Sequence, residues 1–299
     1  MRIFFSLFIF IFFSILVHGE EPESRPPAGQ SDAPRVASTL RDNLAKKLWA
    51  ELYFQTEYSS HDDDNIIFDA WAKQGYRLYE NEGRFWDVYI KERYLIDDNR
   101  DYWNNRVEAA LGTRLKPFRK YGLILFLEGI WGAYTERQGA DPNEDTTAYT
   151  DLQAGYAFWQ WLGRYLWQAE GAEFFAPFTG WREVYSDGIY YNRDNHNYIV
   201  TFDYKEGLML GNFPWFNMDA FAAFQAGIDT QGDYWNNYLE IGPGIRFQPI
   251  KSLDMKISFE YFFGHYYTGH IHEDNEDAFY RDFAITLSFW ADIRARQPE

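Results

Sequence analysis

The pentapeptide Asp101-Tyr102-Trp103-Asn104-Asn105 returns 132 residues later as Asp233-Tyr234-Trp235-Asn236-Asn237. The same offset carries Glu108 to Glu240, Gly112 to Gly244, Arg114 to Arg246, Pro117 to Pro249, Glu128 to Glu260, Gly132 to Gly264 and Tyr134 to Tyr266. Twelve of the 34 positions from 101 to 134 match their counterparts, where average residue usage would give about two. Upstream, Trp49, Glu51, Tyr53, Tyr58, Lys73, Gly75 and Leu78 recur as Trp181, Glu183, Tyr185, Tyr190, Lys205, Gly207 and Leu210. Downstream, after a one-residue slip, Tyr149, Asp151, Phe158 and Trp159 recur as Tyr280, Asp282, Phe289 and Trp290. This pattern predicts an internal duplication, with one copy at 47–161 and the other at 178–292. The period is far longer than the repeats of about 20 to 50 residues that build solenoids.

Each copy contains six segments whose side chains alternate with period two, the signature of strands with one apolar face. They fall at 47–58, 66–79, 84–95, 105–116, 121–134 and 148–161, then at 178–190, 198–210, 216–228, 237–248, 254–267 and 279–292. In the last, Phe283, Ile285, Leu287 and Phe289 oppose Asp282, Ala284, Thr286 and Ser288. In the fifth, Leu123, Leu125, Leu127 and Trp131 oppose Glu128, Gly132 and Tyr134. Aromatics make up 21% of the chain and hydrophobic residues 46%, yet mean hydropathy is -0.50. An average that hides an apolar half is expected where lipid-facing and lumen-facing residues alternate. The expected fold is all-β, a transmembrane antiparallel β-barrel of about twelve strands made of two six-stranded halves. A soluble β-sandwich would share the alternation, but it calls for neither a leader sequence nor aromatics gathered at strand ends.

The leader is present. Arg2 precedes an apolar run from Ile3 to Val17, and Val17-His18-Gly19 offers a cleavage site, so residues 1–19 read as a secretory signal peptide. Residues 20–46 read as a periplasmic linker rich in Pro, Ser and acids, ending in a short helix from Leu40 to Lys47. The barrel is expected over 47–293, with a periplasmic tail from 294 to 299. With both termini periplasmic, the odd-numbered connections lie outside; they hold 17 acids against three arginines. The other connections, such as ENEGR, KPFRKYG, GNFPW and QPIKSL, are far less acidic. The expected location is the outer membrane of a Gram-negative bacterium, in contact with lipid and lipopolysaccharide.

The chain has no cysteine, which excludes disulfides, thiolate metal sites, cysteine nucleophiles and a lipoprotein anchor. A formal net charge of -17 argues against a nucleic-acid partner. By strand parity Glu51, Lys73, Glu108, Arg114, Glu128, Glu183, Lys205, Glu240, Arg246 and Glu260 face the lumen, since Lys or Arg facing lipid at the midplane costs about 2 to 4 kcal/mol. Such charges either line a selective pore for a polar ligand or fill a narrow lumen with structural ion pairs. Arg114 is expected to pair across strands, either diagonally with Glu128 or equally with a neighbouring carboxylate, and Arg246 likewise with Glu260 or its neighbour. Carboxylates repeated at equivalent positions suit architecture better than an asymmetric reaction, so no catalytic residue is assigned, although paired carboxylates can cleave glycosides. His61 beside Asp62, Asp63 and Asp64, and His270 and His272 beside Glu273 and Asp274, read as solvated acidic loops. No metal site or cofactor is assigned.

The stretch from Glu240 to Glu260, EIGPGIRFQPIKSLDMKISFE, is followed by Phe263-Gly264, and its first-copy counterpart is EAALGTRLKPFRKYGLILFLE. Both resemble the carboxy-terminal barrel domain of phage-adsorption protein A (the NfrA type), which is related in style to exopolysaccharide-secretion porins of the outer membrane. The shared pattern is a glycine-rich strand, an Arg, a Pro turn, then a strand ending in Glu and a later Gly; it covers about thirty residues in each copy. The resemblance implies a non-enzymatic outer-membrane barrel linked to envelope polysaccharide export or serving as a surface receptor for phage. The alternatives are an outer-membrane hydrolase of lipid or glycan, and a structural barrel with a closed lumen.

Overall fold

The computed structural model describes residues 47–62, 64–99, 104–135, 148–167, 178–213, 215–250, 252–267 and 278–294. The leader, the linker, the HxH segment and the last five residues lie outside these. Twelve strands follow one another around a closed barrel: β1 (Leu48–Ser59), β2 (Asn65–Asn81), β3 (Arg84–Asp97), β4 (Arg106–Lys116), β5 (Leu123–Tyr134), β6 (Ala148–Trp167), β7 (Phe178–Tyr191), β8 (Asn197–Asn212), β9 (Asn217–Asp229), β10 (Tyr238–Gln248), β11 (Asp254–Tyr266) and β12 (Phe279–Arg294). Each strand pairs antiparallel with its neighbours in sequence, and β12 closes on β1 from Trp49↔Arg294 to Ser59↔Ala284. Closure leaves no open sheet edge, the condition for strands to cross a bilayer.

Alternation assigns the two faces. In β4, Leu111 and Leu115 are exposed while Gly112 and Arg114 between and beside them are buried. In β10 the exposed Leu239, Ile241 and Ile245 alternate with Glu240, Gly242, Gly244 and Arg246. A soluble sandwich would bury the leucines and isoleucines. Here they point outward, and the charged faces meet inside. Arg182 and Glu206 depart from this rule: they lie on the outward face of β7 and β8 and bond to each other at 2.9 Å.

The repeated glycines and aromatics interlock inside the barrel. The ring of Trp49 lies over Gly75 so closely that a Cβ there would fall 2.3 Å from it, and Trp181 covers Gly207 with the same clash at 2.5 Å. Tyr89 covers Gly112 and Phe221 covers Gly244; Tyr149 covers Gly132 and Tyr280 covers Gly264. A glycine without Cβ thus seats an aromatic ring on the pleated wall, a known device for fixing register. β-Bulges also recur at equivalent places, between Arg77 and Tyr79 in β2 and between Met209 and Gly211 in β8.

The recurring DYWNN segment has a structural role at the loop end. The buried Asn105 donates to the carbonyl of Asp97 and accepts from its amide, both at 3.1 Å, and Asn104 donates to the Asp97 carboxylate at 2.7 Å. In the other half Asn237 accepts from the Asp229 amide at 3.2 Å, and Asn236 donates to the Asp229 carboxylate at 2.8 Å. Asn65 donates to Asp62 at 2.6 Å and Asn197 to Asp194 at 2.9 Å. Each knot ties two neighbouring loops to the strand ends beneath them. In the second knot burial and the nearby Asp229 and Asp194 raise the Asp233 carboxyl above its ordinary range.

Candidate lumenal site

Bonds between strands that are not neighbours can run only through the lumen, so they define the site. Arg114 on β4 donates to Glu51 on β1 at 2.8 Å and to Asp87 on β3 at 3.1 Å, with its guanidinium 3.8 Å above the ring of Trp49. Arg246 on β10 repeats this with Glu183 on β7 at 2.7 Å, Asp219 on β9 at 3.3 Å and the ring of Trp181 at 4.1 Å. Arg114 does not reach Glu128, nor Arg246 Glu260. The β4–β5 register sets Gly112 opposite Glu128 and Arg114 opposite Phe126, while β3 presents Asp87 directly across from Arg114. Tyr89, seated on Gly112, takes the place beside Glu128 that the arginine would need.

Glu128 is buried at the centre of the first half. It accepts from the Tyr89 hydroxyl at 2.7 Å, bonds Lys91, and lies 3.8 Å from Lys73. Glu108 accepts from Arg106 at 3.0 Å and from the Tyr149 hydroxyl at 2.7 Å, with Arg93 at 3.9 Å. Arg93 forks onto Asp69 with two bonds of 2.9 Å, and Asp87 also receives Arg77 at 2.9 Å.

The second half keeps the acids and drops most of these cations. At the offset of 132 residues, Lys91, Arg93, Arg106 and Arg77 become Ala223, Gln225, Tyr238 and Met209. Glu260 therefore has Lys205 at 3.1 Å and the Ser258 hydroxyl at 2.9 Å, both on Oε1, and its Oε2 is buried with no hydrogen-bond partner among the described residues. Glu240 accepts from Tyr280 at 2.6 Å. Asp203 lies 3.5 Å from Lys205, with its Oδ1 also buried and unpartnered. Glu57, Asp203, Glu240 and Glu260 form a chain of carboxylates in electrostatic reach of one another, and Asp282 joins it.

Of the residues expected in the lumen, Glu51 and Arg114 come together, as do Glu183 and Arg246, Lys73 and Glu128, and Lys205 and Glu260; Glu108 and Glu240 stand apart from these arginines. Asp87 and Asp219 went unmarked in the sequence, although the same offset identifies them. Lys91, Arg93 and Arg106 carried no such signal, because the residues 132 positions on are Ala223, Gln225 and Tyr238. Near the loop end His61 stacks on Tyr280 at 4.0 Å and contacts the Tyr266 hydroxyl at 3.1 Å.

At the other end, large rings stand exposed in the lumen. Trp159 (53% exposed) lies opposite Tyr185 at the β6–β7 seam, and Trp290 (46% exposed) lies opposite Tyr53 at the β12–β1 seam. Tyr53 stacks on Trp71 at 5.3 Å, and Tyr53 and Tyr185 are within electrostatic reach of each other. Near the loop end a cavity of about 140 Å³ opens between Gln55, Glu57, Asp62, Asn65 and Asp69.

Comparison with solved structures returns outer-membrane barrels. They include the beta domain of the Bordetella autotransporter BrkA (10% identity, 82% of this chain and 98% of that one, TM-score 0.38). A bacterial polysaccharide outer membrane secretin gives 7% identity over 84% of this chain and 100% of that one, with a TM-score of 0.40. An outer membrane channel from Pseudomonas putida F1 gives 8% identity over 91% and 100%, with a TM-score of 0.38. No family model matches the chain, and no curated protein matches it.

Proposed function

We propose that this chain is a non-enzymatic barrel of the Gram-negative outer membrane that conducts or receives a polar, saccharide-like ligand. The observation that carries the reading is the pair of seams where Trp159 with Tyr185, and Trp290 with Tyr53, offer exposed rings to a lumen rich in carboxylates and other charged side chains. A sugar ring has an apolar face of C–H groups and a rim of hydroxyls. Aromatic side chains combine a large apolar face with little conformational freedom to lose, and carboxylates accept hydroxyl hydrogen bonds. The sequence resemblance to polysaccharide-linked barrels points the same way, towards polysaccharide export or a phage-accessible surface receptor. The ion pairs that bridge non-neighbouring strands favour a second reading, a structural barrel whose lumen is closed.

Planar-bilayer recording separates the two. The first reading expects steady conductance that oligosaccharide added on one side interrupts, with interruptions shortened in Trp159→Ala and Trp290→Ala. A barrel that carries no current supports the closed lumen, and interruptions unchanged in both variants would remove the aromatic seams from the account.

A further inference from the structure

We propose that the second-half wall of the lumen is a binding site for an ammonium group, so that the ligand carries a primary amine. The inference rests on the reading of the lumen as ligand-bearing and names the charge of what it takes. In the first half Lys91 delivers its ammonium to Glu128. One copy later the lysine is Ala223, and Glu260, only 5% exposed, holds an Oε2 with no hydrogen-bond partner among the described residues. A buried carboxylate oxygen left unpaired in a native fold calls for a missing donor. The neighbouring carboxylates repeat the deficit of charge: Asp203 has an unpartnered Oδ1, and Glu240 faces Gln225 and Tyr238, whereas Glu108, whose Oε2 also lacks a hydrogen bond, has Arg93 at 3.9 Å and Arg106 at 3.0 Å.

The chemistry favours an ammonium over a chelated metal. No three His, Asp or Glu side chains among the described residues converge closely enough to hold a metal ion. The carboxylates form a chain instead of a cage, and rings lie among them: the resident ammonium of Lys205 sits 5.2 Å from the centre of Phe221. Carboxylates backed by aromatic faces are a setting that amines use well, through hydrogen bonds and attraction to the ring faces. Lys205 shows the geometry with a tethered ammonium; Ala223 itself is buried with Phe262 and Ala284, so a free ammonium is taken beside Glu240, where Gln225 and Tyr238 stand for Arg93 and Arg106.

The test is calorimetric titration of the purified, detergent-folded barrel with n-butylammonium chloride, with n-butanol and potassium chloride as controls. Saturable binding of n-butylammonium is expected, with none of n-butanol and no competition from equimolar potassium. Gln225→Arg, which restores the charge that Arg93 supplies in the first half, should weaken binding at least tenfold, while Gln225→Met should retain it. Glu260→Gln should weaken it as well, and heat-modifiability on gels verifies that each variant folds. Equal binding in Gln225→Arg and wild type, equal binding of n-butanol, or equal competition by potassium would overturn the proposal. Because no current is measured, a barrel that fails to conduct would sink the conducting role and leave this result standing.

Discussion

The two halves of the lumen share a scaffold and differ in charge. Each has a tryptophan-backed arginine between two carboxylates, glycines seating rings, bulges at matching positions and an asparagine knot at the loop end. The first half neutralises its glutamates with Lys91, Arg93 and Arg106; the second presents Glu240 and Glu260 with Ala223, Gln225 and Tyr238 in those places. Features that set register occur in both halves, whereas Lys91, Arg93 and Arg106 occur in one. The lesson is that architecture and selectivity can be separated within one barrel, because ring-on-glycine contacts hold the wall whether or not each carboxylate is paired.

The sharpest contrast should appear at Asp87 and Asp219. Asp87 is fully buried and holds both Arg77 and Arg114, so Asp87→Ala strands two guanidinium groups and should cost about 3 to 5 kcal/mol. Among the described residues Asp219 has one ion pair, at 3.3 Å from Arg246, and Asp219→Ala should cost about 1 to 2 kcal/mol. Urea unfolding in detergent measures both, and equal losses would break the asymmetry. Lys91→Ala comes next. It makes Glu128 resemble Glu260 while leaving Tyr89 and Lys73 in place, so a loss of about 2 kcal/mol is expected, with a gain in cation selectivity visible in the same variant.

The remaining predictions address what the halves have in common. Gly75→Ala and Gly207→Ala each drive a methyl group into a tryptophan ring, and both should destabilise by about 1 to 3 kcal/mol; unequal effects would show that the two seats are not equivalent. Asn105→Ala and Asn237→Ala should each cost about 1 kcal/mol and expose the adjacent loops to protease added outside cells. Cleavage in one variant alone would separate the knots.

Much of the wall was legible in the sequence, because alternation and the constant offset report backbone geometry directly. Eleven of the twelve strands end within two residues of the sequence reading. The exception is β6, read to 161 but continuing to Trp167. A bulge between Trp161 and Gly163, with Gly163 at φ 103°, shifts the alternation there and hides the continuation from a period-two reading. β12 keeps its pairing with β1 to Arg294, two residues beyond the sequence reading, so Arg294 is strand and not the start of the tail. The charge pairing was less legible. Which carboxylate meets Arg114 depends on the β3–β4 and β4–β5 registers together, and Tyr89 intervenes from a strand that sequence proximity does not bring near. Parity shows that a side chain points inward, but it does not reveal its partner across a lumen.

The central claim is that the second half leaves its lumenal acids short of cations, and reversal potential under a potassium chloride gradient tests it most directly. The account predicts a potential of the sign set by potassium, reduced when Gln225→Arg and Tyr238→Arg are combined so that the second wall regains the charges of the first. A reversal potential at zero or of the sign set by chloride, or one that the double variant leaves unchanged, would contradict it.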